Sequence, residues 1–98
     1  MDAAMDIVSI AHKGLRRYVE KNDSKGLPRE KAQRIRNILA ALIQASDIEG
    51  VKGPPGWRIH QLKGERAGQW SISISGNWRL TFRIEEGAIA DLNLEDYH

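Results

Sequence analysis

Residues 69–84 read QWSISISGNWRLTFRI, and this stretch constrains the chain more than any other. Trp70, Ile72 and Ile74 alternate with Ser71, Ser73 and Ser75; after Ser-Gly-Asn, Trp78, Leu80, Phe82 and Ile84 alternate with Arg79, Thr81 and Arg83. Side chains of a strand point alternately to its two faces, so a strict period of two predicts two half-buried strands. The intervening Ser-Gly-Asn is turn chemistry, and the pair is expected to form a hairpin. "EEG" at 85–87 makes the next turn, and "AIADLNL" supplies a last strand with Ala88, Ala90, Leu92 and Leu94 facing the core. "WRIHQL" before the hairpin is read as a further strand.

The first half has a different period. "DIVSI" (6–10) is short, apolar and β-branched, and reads as a first strand. Leu15, Tyr18 and Val19 follow at helical spacing. Pro28 suits the start of a second helix, because its fixed φ and missing N–H cost nothing there. Ala32, Ile35, Ile38, Leu39, Leu42 and Ile43 then fall on one helical stripe. "SDIEGVKGPPG" breaks the pattern with glycines and a Pro-Pro pair. The expectation is an α+β domain of order β-α-α-β-β-β-β, a mostly antiparallel sheet with two helices packed on one face. No repeat or composition shift divides it, and residues 1–98 form a single domain.

Bulk properties exclude several classes. The chain lacks cysteine, which rules out disulfides and thiolate metal sites and suggests a cytoplasmic setting. No run approaches ~18 apolar residues, so no membrane partner is expected. The acidic start "MDAAMD" does not read as a secretory signal. Charge is unevenly spread. His12 to Arg36 carries nine Lys/Arg and three acids, whereas Glu85 to His98 carries five acids and no Lys/Arg. This is either a surface for a polyanion or the solvated face of a helix. If the apolar phase of the hairpin is buried, Arg79 and Arg83 share the opposite face, ~7 Å apart. There they face phosphate, or pair with Asp91 or Glu95 on a neighbouring strand. In "RIHQLKGERAGQW", His60 and Lys63 stand where a strand passes into a loop flanked by Gly64 and Gly68. Taken alone, a single histidine at such a place is more often structural than catalytic.

Together, "IHQLKGERAGQWSISISGNWRLTF" and the closing "LNLEDYH" resemble the HigB toxins of bacterial type II toxin–antitoxin systems, within the RelE-like superfamily. "HKGL" and "LPREKAQRIRNIL" are similar to that family as well, so the resemblance spans nearly the whole chain. Gln61 stands where proline is common in the family, and "MDAAMD" is a longer, acidic lead-in. The resemblance implies a ribosome-dependent endoribonuclease that cuts messenger RNA in the A site, beside 16S ribosomal RNA. It implies catalytic positions at His60, Lys63, Arg79, Asp96, Tyr97 and His98, with no metal and no cofactor. Its partner would be a HigA-like helix-turn-helix antitoxin, with operator DNA met only through that antitoxin. Lys13, Arg16, Arg17, Lys21, Arg29, Lys31, Arg34, Arg36, Arg66 and Arg83 are the residues expected to bind RNA or ribosome, by sequence-independent phosphate contacts. Two other readings stand beside this: a non-catalytic ribosome- or RNA-binding module, and a toxin of the same fold that inhibits a protein. Trp70, Trp78 and Phe82 all lie on the apolar phase, which leaves the polar face without the stacking aromatics of an RNA-binding sheet.

Overall fold

A computed structural model describes residues 4–96. Two helices, α1 (Lys13–Lys21) and α2 (Ala32–Gln44), precede four strands: β1 (His60–Gln61), β2 (Gln69–Ser73), β3 (Trp78–Glu85) and β4 (Ala88–Asp96). The strands form an antiparallel meander in the order β1-β2-β3-β4. Leu15, Ile35, Ile38, Leu39 and Leu42 of the helices pack with Ile72, Leu80, Phe82, Ile89, Leu92 and Leu94 of the sheet in one core. Burying each such side chain is worth about 1.5–3 kcal/mol. The expected α+β architecture, with helices against a mostly antiparallel sheet, is what forms.

The hairpins follow the local chemistry. Ile74 and Ser75 N–H both donate to the Trp78 carbonyl, closing the first. The second turns on Glu86 and Gly87, both at positive φ (51° and 79°). Two such residues twist a two-residue loop to match the strands it joins.

Four expectations are corrected. Residues 6–10 do not form a regular strand: Ile7 and Ile10 make isolated parallel bridges to Ile89 and Leu92 along the outer edge of β4. The "WRIHQL" strand is reduced to His60–Gln61, because Pro55–Trp57 makes a 3-10 turn that buries Trp57 in the core. The apolar phase of β4 is carried by Ile89, Leu92 and Leu94; Ala90 is buried as expected but pairs with Arg83, and Ala88 is only half-buried. Thr81 pairs with Asn93 and Arg83 with Ala90, so two β4 residues oppose one of β3. That is a bulge, at Asp91 (φ 52°), and it shifts the alternation by one. Ser9 holds it: its Oγ accepts the Asp91 N–H at 2.8 Å. Last, Val19 and Ile43 lie off the buried stripes of their helices and are exposed.

α1 is capped by His12, whose Nδ1 accepts the Leu15 N–H at 3.1 Å. Only neutral imidazole has that lone pair. Burial lowers the His12 pKa below the ordinary histidine value. The unfolded chain therefore binds the proton more readily, and the cap's contribution is complete above the ordinary value and lost as pH falls through the lowered one. We expect His12→Asn, which caps without titrating, to be about as stable as the parent at pH 8 and more stable at pH 5 in urea unfolding. α1 also lies hard against the loop that follows it, since a methyl at Gly14 would stand 2.1 Å from the Gly26 carbonyl oxygen. Gly14→Ala should therefore destabilise by about 1–3 kcal/mol, although alanine is intrinsically the better helix former. A gain in the urea midpoint would contradict this packing.

Candidate functional site

The ladder sorts the polar residues into rows on the face of the sheet away from the helices. His60 pairs with Ser71, Ser71 with Thr81, and Thr81 with Asn93; in the next row Ser73 pairs with Arg79, and Arg79 with Glu95. Paired residues share a face, so His60, Arg79 and Glu95 look the same way. Two strand spacings and one two-residue step separate the Cα atoms of His60 and Arg79 by roughly 12 Å. Side chains of that length can converge on one phosphodiester.

His60 is exposed at the start of β1, and its Nδ1 lies 2.6 Å from the Arg58 carbonyl. A carbonyl only accepts, so Nδ1 carries a hydrogen, and in the neutral ring the lone pair is then on Nε2. Arg58, in the left-handed region (φ 48°), caps the preceding turn and offers that carbonyl. Lys63, also exposed, comes two residues after β1 and precedes a turn at Gly64–Arg66, whose Gly64 has φ 68°. The loop is closed at its neck, where the Leu62 N–H donates to the Gln69 carbonyl at 2.8 Å.

Glu95 is the centre of the polar cluster. Its carboxylate takes both terminal nitrogens of Arg66, at 2.8 and 2.5 Å, and the Thr81 hydroxyl; Arg79 Nη2 stands 3.6 Å away. Arg66 also donates from Nε to Gln69 Oε1 at 2.7 Å. The face is therefore open at Arg83 but closed over at Arg79, whose side chain is 17% exposed. Thr81 and Ser71 beneath are buried.

The match to known proteins decides the family. A model described as RelE-like toxin of type II toxin-antitoxin system HigB covers residues 8–98. The chain belongs to that family. A relative, Endoribonuclease HigB of Proteus vulgaris, is 41% identical over 92 residues, spanning 94% of this chain and 99% of its own length. The fold is that of the YoeB/ParE toxin from Agrobacterium tumefaciens (TM-score 0.61, 16% identity, 96% and 99% of the two chains). The YoeB-YefM complex from Staphylococcus aureus is similar in the same way (TM-score 0.60, 18% identity, 98% and 99%).

Within this HigB-family toxin, the expected site residues are unequally placed. His60 and Arg79 share one face of the sheet, whereas Lys63 lies beyond Leu62, whose partner Gln69 pairs with Arg83, so the ladder sets it towards the opposite end of β3 from Arg79. Asp96 pairs with Trp78, one residue out of phase with the Arg79 row, so the register brings Glu95 rather than Asp96 beside Arg79. Tyr97 and His98 lie outside the described residues. Arg83 is at the far end of β3, 3.6 Å from Glu85. Asp91 is engaged with Ser9 at the bulge. Of the helical cations, Arg16 donates to the Ile10 carbonyl, Arg17 pairs with Asp23 at 2.7 Å, and Arg36 bonds Gln33. Arg34 is half-buried and donates to the Gly56 and Ser73 carbonyls, tying α2 to the end of β2. Lys13, Lys21, Arg29 and Lys31 lie on or just before the helices, Lys31 half-buried and the others exposed. Among the described residues, no three His, Cys, Asp or Glu side chains are grouped to hold a metal ion. No described helix is long and apolar enough to cross a membrane.

Sequence reasoning entered Glu95 only as one choice of ion-pair partner. The missing information was the β4 register, which the bulge at Asp91 shifts. The Arg66 bonds, reinforced by Thr81 and by the charge of Arg79, hold the Glu95 carboxyl at about 2 against the opposing effect of burial. Its folded value is thus depressed, and the stability it contributes is present above the ordinary glutamate value and lost as pH falls towards 2. Discounted for solvent at the rim of the cluster, this is worth about 1–2 kcal/mol at neutral pH. Glu95→Gln is expected to lose that amount at pH 7 and to show a shallower loss of stability between pH 4.5 and 2. An acid limb as steep as the parent's would refute the assignment.

Proposed function

We propose that this toxin is a ribosome-dependent endoribonuclease that cuts messenger RNA in the A site and so stops translation. The observation that carries the reading is the ladder register: it sets the His60 imidazole and the Arg79 guanidinium on one face, and Lys63 opens the loop that follows β1. The family match and the relative named as an endoribonuclease support it.

The reaction is attack of a ribose 2′-OH on the adjacent phosphorus. The bond to the 5′-oxygen breaks, leaving a 2′,3′-cyclic phosphate and a 5′-OH. One group takes the 2′ proton and another returns a proton to the leaving oxygen. His98 performs one transfer, and His60, through its Nε2, or Tyr97 assists the other. Lys63 and Arg79 hold the charge that grows on the phosphoryl oxygens, where fixed cations act most strongly. Asp96 orients an imidazole or a cation at the end of β4. The exposed cations of the helical region, with Arg16, Arg17, Arg36 and Arg83, grip ribosomal RNA phosphates; Arg34 adds to that field from a half-buried position. Binding should then weaken steeply with salt.

A helix-turn-helix antitoxin of the HigA type neutralises the toxin and carries the pair to operator DNA. Solved relatives include complexes with antitoxins. Ribosome and messenger place the action in the cytoplasm.

The test is cleavage of end-labelled messenger RNA on ribosomes with an empty A site, with ribosome-free RNA alongside. The full chain should cut only on the ribosome. Removal of His98 alone should slow cutting by about 10²–10⁴-fold, and Lys63→Ala by a factor in the same range. Equal cutting of free RNA would overturn ribosome dependence. Stalling without cutting would overturn the nuclease reading in favour of a binding toxin.

A further inference from the structure

The Arg66–Glu95 pair carries an assignment beyond the family positions. Arg66 has all three nitrogens occupied: Nε by Gln69, and the two terminal nitrogens by Glu95. A guanidinium held bidentately by a carboxylate and again from its third side has one orientation. It sits on the turn that begins just after Lys63. Glu95 immediately precedes Asp96, Tyr97 and His98. One ionic clamp therefore joins the loop of one cationic group to the strand that leads into the terminal tail. The same carboxylate is braced by Thr81 from the adjoining strand and lies beside Arg79.

The charge argues that this is a positioning device. A carboxylate next to a phosphate site repels RNA, so on attraction alone Glu95 is unfavourable for binding. Arg66, expected from sequence as an RNA contact, has three of its five N–H donors committed to Gln69 and Glu95. The two are costly for grip and well suited to geometry.

We propose, resting on the nuclease reading above, that Glu95 and Arg66 are positioning residues: their clamp fixes the loop that begins after Lys63 against β3 and β4 and sets how Lys63 and Arg79 are presented to the RNA. Glu95 touches no reacting atom in this scheme. It acts through the groups it orients.

The experiment compares the parent, Glu95→Gln, Arg66→Ala and the double variant, all full chains with folding verified by thermal melting. Single-turnover cleavage is measured on programmed ribosomes, and affinity is measured on ribosomes whose A-site codon carries a 2′-O-methyl block. Glu95→Gln should cut about 10–100-fold more slowly, the scale of a misplaced catalytic group, while binding the blocked complex as tightly as the parent or more so. Arg66→Ala should cost a similar factor, and the double variant no more than either alone. Cleavage within twofold of the parent, a loss of affinity parallel to the loss of rate, or multiplicative single effects would each overturn the proposal. A third measurement does not depend on cleavage: the side-chain Nε–H and Nη–H signals of Arg66 in nuclear magnetic resonance. They should be sharp and slowly exchanging in the parent and averaged in Glu95→Gln. Signals already averaged in the parent would overturn the clamp even if the protein cuts. If the parent fails to cut, the nuclease reading falls, and sharp Arg66 signals would still establish the clamp.

Discussion

Everything in this small protein is referred to β3. It is paired on both sides, with β2 and with β4, and its side chains alternate between two unlike environments. Leu80 and Phe82 are fully buried against the helices, while Arg79 and Thr81 line the opposite polar cluster. Because the side-chain period of a strand is two, slipping this strand by one residue would expose the core and bury the cations at once. Core and site are therefore locked to the same register, and the apolar packing that stabilises the fold also fixes where the charges stand.

The bulge at Asp91 adjusts that lock on one side. Without the extra residue, the alternation of β4 would run unbroken, and either Ile89 or Leu92 and Leu94 would leave the core. With it, Ile89 lies in the core with Leu92 and Leu94, and Glu95 emerges on the polar face opposite Arg79. A backbone irregularity four residues upstream thus decides which carboxylate meets the guanidinium. Ser9, from the N-terminal segment, holds the bulge through the Asp91 N–H, which makes the edge segment part of the support for the site.

In the polar cluster one carboxylate stands against two guanidiniums before any RNA arrives. Glu95 is deeply ionised by its arginine and hydroxyl partners, and its hold on Arg66 restrains the loop of Lys63. Small enzymes have few residues to devote to support behind a site. Here one carboxylate braces two strands and a loop, while exposed His60 and Lys63 remain at the solvent edge.

Much of this was legible in the residues. The periods of 3.6 and 2 set the helices, the central hairpin and most of the core, because amphipathic alternation is a local property. The turn at Glu86–Gly87 was readable for the same reason. His60, Lys63 and Arg79 were singled out by family pattern, and the pairing of strands explains how His60 and Arg79, 19 apart in sequence, share a face. What the tertiary structure alone decided depends on contacts between distant segments. Residues 6–10 became a bridged edge rather than a strand, and Trp57 left the sheet for a core-filling turn. The phase of β4 and the choice of Glu95 over Asp91 for Arg79 came from the bulge. None of these follows from local preference, since each is set by which backbone groups find partners across the fold.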